Sequence, residues 1–148
     1  MKVRVSTVLP VPAGRAWELM TPEALEKITR GMVTFEGGPP AKYEEGDVFR
    51  TRLRLFGVLP PFDYEMRCML SDRASGTLVS HEKGGLIRLW DHHVTIQPLT
   101  ASTCRHTDEI DIDAGAATPL VWAFASVFYR VRHARERQLV RQGIIEAT

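Results

Sequence analysis

An α+β fold, a single antiparallel sheet curved round one long C-terminal helix, is predicted by three features of this 148-residue chain. Thr118 to Gln142 reads as one long helix, Gly46 to Gly115 alternates apolar and polar residues as strands do, and the joints between those strands are short. Short joints make consecutive strands antiparallel neighbours. The helices must then pack on one side of the sheet.

The elements follow in order. Lys2 to Leu9 alternates as a strand, with Val3, Val5 and Thr7 on one side, and Pro10 closes it. Pro12 to Met20 and Thr21 to Ile28 read as two short helices, the second opened by the cap, proline and acid of Thr21-Pro22-Glu23. Met32 to Phe35 is a short strand before the turn Gly37-Gly38-Pro39-Pro40. Asp47 to Phe56 sets Phe49, Thr51, Leu53 and Leu55 against Arg50, Arg52 and Arg54, which should face solvent. Phe62 to Ser71 places Tyr64, Met66, Cys68 and Leu70 on one face. Thr77 to Lys83, the hairpin turn Gly84-Gly85, Leu86 to Pro98 and Thr103 to Asp113 complete about seven strands. In the long helix Thr118 is the expected cap, Pro119 the first-turn proline and Gly143 the stop. Its apolar stripe runs through Leu120, Phe124, Val127, Phe128, Val131 and Leu139. Its second half is basic, with Arg130, Arg132, His133, Arg135, Arg137 and Arg141 against Glu136 alone. Such a face complements the helix dipole and keeps the surface soluble.

Totals narrow the function. A hydrophobic fraction of 44% and a charged fraction of 25% fit one globular domain spanning 1–148. A net charge of +1 gives no general attraction to nucleic acid or anionic membrane. Cys68 and Cys104 lie far apart without metal or disulfide spacing, which reads as packed thiols in a reducing compartment. No apolar run is long enough for a membrane span, so a cytoplasmic protein is expected.

Three segments together resemble a known superfamily: VSTVLPVPAGRAWELMTPEALEKITRG, the pair LWDHHVTIQPL and CRHTDEIDIDAG, and the final FYRVRHARERQL. The pattern is similar to START-like or Bet v 1-like (SRPBCC) proteins, and within them to bacterial polyketide cyclase/dehydrase-like or lipid-transport-like members. The resemblance spans essentially the whole chain. It implies a helix-grip fold with a cavity between sheet and C-terminal helix, often used for apolar small molecules. It carries no short catalytic signature, so it speaks for fold more than for activity.

Candidate chemistry gathers on the last hairpin. Pairing Val94 with His106 would set His92 across from Asp108, within reach for a carboxylate to hold an imidazole; a slip of two would pair His92 with His106 instead. Such a pair is a candidate general acid/base, and it serves equally to satisfy two buried polar groups. Tyr64, His81, Glu82 and Tyr129 are further polar candidates. Met66, Cys68, Trp90, Phe124, Val127 and Phe128, with His106, complete the expected cavity wall. His92, His106 and Asp108 have a conceivable zinc spacing but match no established ligand motif, so no metal and no cofactor are expected.

Three functions remain open on the sequence. The first is binding of an apolar lipid-like, acyl or aromatic molecule. The second is a cyclase/dehydratase-type enzyme, in which His92 takes a proton alpha to a carbonyl while Tyr64 or Glu82 attends the oxygen. The third is a protein interaction module. A monomer or homodimer is expected, with no nucleic-acid partner.

Overall fold

The computed structural model describes residues 1–40 and 44–143. Strand β1 (Lys2–Leu9) leads into helices α1 (Ala13–Glu18) and α2 (Pro22–Thr29). Six strands follow: β2 (Val33–Glu36), β3 (Val48–Leu55), β4 (Phe62–Asp72), β5 (Thr77–Gly84), β6 (Ile87–Pro98) and β7 (Cys104–Asp113). A 3-10 turn at Gly115–Ala117 feeds helix α3 (Thr118–Arg141). The seven strands form one antiparallel sheet in the order β1-β7-β6-β5-β4-β3-β2, curled round α3.

Consecutive strands are neighbours from β2 to β7, as short joints require, and β1 closes the far edge against β7. Alternation is kept where a face is buried: Trp90, His92, Val94 and Ile96 point inward from β6, and Cys104, His106, Asp108, Ile110 and Ile112 from β7. In β4 a bulge between Cys68 and Leu70 ends the expected inward row, and Leu70 is 36% exposed. Thr21 caps α2 as expected, accepting from the Ala24 N–H at 3.2 Å.

Thr118 does not cap α3. Its hydroxyl accepts from the Ala114 N–H at 2.9 Å and donates to the Gly115 carbonyl at 2.7 Å, tying down the 3-10 turn, and Ala117 is the N-cap. The apolar stripe of α3 is also rotated from the expected one. Leu120 and Val127 are exposed, whereas Ala125, Phe128, Tyr129, His133 and Val140 are buried. Ala125, fully buried, permits close approach of helix and sheet. The principal core joins Val3, Ile110, Ile112, Trp90, Ala125 and Phe128, and a second cluster under α1 and α2 joins Leu9, Ala16, Leu19, Ile96 and Val140.

The basic half of α3 has partners. Arg135 donates to the carbonyls of Ile28 and Arg30 at 3.2 and 2.6 Å, closing the C-terminal end of α2, and Arg137 donates to the Thr7 hydroxyl at 3.1 Å.

Gly76 turns β4 into β5 with φ +66°, and its carbonyl accepts from the Ile96 N–H at 2.8 Å. An added Cβ would stand 2.1 Å from the Ile96 carbonyl oxygen. Gly76→Ala is therefore expected to cost more than about 2 kcal/mol, combining left-handed strain with a backbone clash. Gly57→Ala is the control, since φ is +69° there but nothing lies within 4 Å. Equal urea midpoints for the two variants would contradict the close approach at Gly76.

Candidate functional site

A cavity of about 1080 Å³ lies between the inner face of the sheet, α2 and α3. Its walls are mostly apolar, with Leu53, Leu55, Phe62, Val94, Phe124 and Phe128 among them. The turn residues Pro40, Gly84, Gly85 and Leu86 also line it.

Polar side chains converge on it from four strands and the helix, with His133 standing behind the lining residues. From β4, the Tyr64 hydroxyl donates to Glu82 Oε2 at 2.6 Å, and from β5 the Ser80 hydroxyl donates to Glu82 Oε1 at 2.7 Å. His92 on β6 lies between two carboxylates, with Nδ1 3.8 Å from Glu82 Oε1 and Nε2 2.5 Å from Asp108 Oδ1. His133 on α3 reaches the other oxygen, Nε2 to Asp108 Oδ2 at 2.5 Å. His106 Nδ1 faces both oxygens of Glu136 at 2.9 and 3.0 Å. Its Nε2, 3.4 Å from Asp108 Oδ2, makes no hydrogen bond.

The charges follow from this packing. Burial opposes ionisation of Asp108, but the surrounding histidines more than offset it and hold its carboxyl well below the usual range. Burial likewise opposes an imidazolium at His92, yet Asp108 and then Glu82 raise its pKa above the ordinary value. For His106 the same opposition is overcome by Glu136 and Asp108, which raise it to about 10. Glu82, despite burial, is held below its ordinary value by His92, Tyr64 and Ser80. Tyr129 is pushed up by burial, with Glu82 and Asp108 adding to the effect.

The sequence placed His92 with Asp108, and they do meet, but through a different register. Val94 opposes Asp108, His92 opposes Ile110 and Ile96 opposes His106, a shift of two residues from the expected pairing. His92 therefore reaches Asp108 diagonally along the inner face. Tyr64 and Glu82 both point inward. Trp90, Met66, His106, Phe124 and Phe128 line the cavity, and Val127 lies on its rim, 54% exposed. Cys68 is a correction: it is 1% exposed and outside the cavity wall, its thiol donating to the Leu70 carbonyl at 3.6 Å beside the bulge. His81 is on the outer face, 3.5 Å from Asp91.

His133, Glu136, Arg132 and Ser80 were not foreseen as site residues. Arg132 lines the cavity with its guanidinium carbon 5.0 Å from the Tyr129 ring centroid and 5.5 Å from that of Phe128; its Nε is buried without a hydrogen-bond partner. For His133 and Glu136 the available signal was spacing: Ala125, Tyr129, His133, Glu136 and Val140 recur at three or four residues along one side of α3.

A family model described as a domain of unknown function, DUF8410, matches residues 18–141. No curated protein sequence matches the chain. Among solved structures, an aromatase/cyclase from Streptomyces sp. R1128 is similar at TM-score 0.70 and 12% identity, covering 97% of this chain and 95% of that one. A START superfamily protein from Mycobacterium smegmatis is similar at TM-score 0.68 and 12% identity, covering 95% and 97%. Norcoclaurine synthase from Thalictrum flavum is similar at TM-score 0.65 and 12% identity, covering 96% and 87%. At such identities the likeness is one of fold.

Proposed function

Because the chain belongs to the DUF8410 family of domains of unknown function and has the START-like, Bet v 1-like (SRPBCC) fold, we propose its function from its cavity: it binds an apolar small molecule carrying one oxygen function. The observation that carries this reading is the gathering of the polar side chains on one wall of an otherwise apolar space. A volume of about 1080 Å³ is at the upper end of small-molecule pockets, room for an acyl chain or several fused rings. Apolar walls supply affinity without direction. Direction comes from Glu82 and Tyr64, which can receive a hydroxyl, and from Arg132 Nε, a buried donor that a carbonyl or carboxylate oxygen would satisfy.

The test is displacement of a polarity-sensitive fluorescent apolar probe by two matched ligands, one with a terminal carboxylate and one wholly hydrocarbon. The oxygenated ligand is expected to compete at about ten-fold lower concentration, the worth of one hydrogen bond to a charged group. Arg132→Met should close that gap. Equal displacement by both ligands of the wild-type protein would remove the polar wall from recognition.

A second reading, turnover of the bound molecule by a cyclase- or dehydratase-type enzyme, is favoured by the position of His92. It lines the cavity with Nε2 held by Asp108 at 2.5 Å, while Nδ1, 3.8 Å from Glu82 Oε1 and beyond hydrogen-bond distance, is the ring nitrogen left to exchange a proton with a bound molecule. Catalysis predicts that a bound polyketone-type compound is converted on incubation, to an isomer of changed chromatographic retention by ring closure or to a product lighter by one water by dehydration, and that His92→Phe, still able to bind it, does not convert it. A compound recovered unaltered from the wild-type protein supports binding alone.

A further inference from the structure

The polar wall contains a donor set that neither an apolar ligand nor a bare hydrogen-bonded network uses fully. His106 Nε2, His133 Nε2 and a carboxylate oxygen of Asp108 come from β7 and α3, and their ligating atoms all lie within 4.8 Å of one another. All three residues are at least nine-tenths buried, at 5%, 3% and 1% exposure. The His106 Nε2 atom faces this point without a hydrogen-bond partner.

Two of the three residues have the partners that orient metal ligands, whereas the His133 Nδ1 atom is buried without one. Metal-bound imidazoles characteristically give their second nitrogen to a carboxylate, which fixes the tautomer and frees the first nitrogen's lone pair. His106 has that arrangement, with Nδ1 on Glu136. Asp108 has its counterpart: Oδ1 is held by His92 at 2.5 Å, leaving Oδ2 on the side of His106 and His133. Three carboxylates, Glu82, Asp108 and Glu136, crowd this wall, and a dication would balance the charge that imidazole protons otherwise balance.

We propose that His106, His133 and Asp108 bind one divalent transition-metal ion of the zinc class, with its open side toward the cavity. Two imidazoles and one carboxylate favour such an ion over magnesium or calcium, which prefer oxygen ligands. Bonds of about 2.0–2.2 Å set ligand atoms roughly 3.3 Å apart round the ion. His133 Nε2 and Asp108 Oδ2, 2.5 Å apart, must therefore open to admit it while the wider spacings, up to 4.8 Å, close. His106 and Asp108 line the cavity, so a fourth position is reachable by water or by the oxygen of a bound molecule.

The test adds Zn²⁺ alone to the chelator-treated full chain, with calorimetry and metal content after gel filtration as readouts. One equivalent is expected per chain. His106→Ala and His133→Ala should weaken binding by at least 100-fold, and Glu136→Gln by about ten-fold or more, as for partners behind a ligand. The control is the double variant His81→Ala, His93→Ala, which removes the histidines of the outer face and should bind as the wild type does. Cobalt(II) in the wild-type chain gives a readout independent of any variant's folding: visible bands of a histidine-ligated ion of low coordination number are expected. No zinc retained and no such bands, or binding lost in the outer-face variant but kept by the other two, would overturn the proposal.

Discussion

Asp108→Asn is expected to destabilise the protein by about 3–5 kcal/mol, measured by urea unfolding in chelator so that no metal contributes. The side chain keeps its shape and loses its charge. Asp108 is 1% exposed and accepts from two histidines at 2.5 Å, with a third at 3.4 Å. Removing one partner of a buried ionic network leaves the others desolvated and unmatched, and this costs more than the network contributed in total. Asparagine also turns one oxygen into a donor, which faces His92 or His133 wherever it is placed. At about 2–4 °C per kcal/mol for a chain of this size, the melting temperature should fall by roughly 6–20 °C. An unchanged m-value would assign the loss to the folded state. A loss below about 1 kcal/mol would contradict the pairing described for Asp108.

Phe124→Arg is expected to weaken uptake of an apolar ligand by about 30- to 150-fold while the fold survives. Phe124 lines the cavity, stacks on Phe128 at 5.5 Å between centroids and meets Phe56 edge-on at 5.7 Å. It is only partly buried, so its replacement does not strand a charge in the core. Loss of a ring's apolar contact is worth about 2–3 kcal/mol, which by itself gives about 30- to 150-fold. A guanidinium turned inward adds the cost of an unpaired charge against an apolar ligand; turned outward it leaves the wall open to water. Probe fluorescence measures the affinity and circular dichroism the fold. A folded variant that binds as tightly as the wild type would place the ligand elsewhere.

The residues themselves mark how far a sequence reveals such a site. Period-two alternation assigned the inward rows of β6 and β7, because one wrong step would have sent Trp90 and Ile110 into water. A slip of two leaves that pattern intact, so alternation had no power over the pairing of His92. The turn decides it. Leu99 and Thr100 donate their N–H groups to the Thr103 carbonyl, and the Thr100 and Thr103 hydroxyls lie 2.7 Å apart, closing a loop that brings Pro98 opposite Cys104.

The helix misled for a different reason. Leu120 and Val127 look like core by type but sit at a cavity rim, where apolar residues remain exposed. His133 and Glu136 look like part of a charged surface but face the sheet. Only contact with β7, distant in sequence, distinguishes these cases. Met66, Trp90, Phe124 and Phe128 were legible as cavity lining and Cys68 was not, while the helix's share of the polar cluster depended on where α3 lands.

Native mass spectrometry of the full chain, presented with a set of acyl and fused-ring compounds, tests the central claim most directly. A one-to-one complex with an apolar compound bearing an oxygen function, retained by the wild type and lost in Phe124→Arg, is the predicted result. No complex with any compound at saturating concentration, or complexes that form equally with both proteins, would contradict a ligand held between sheet and helix.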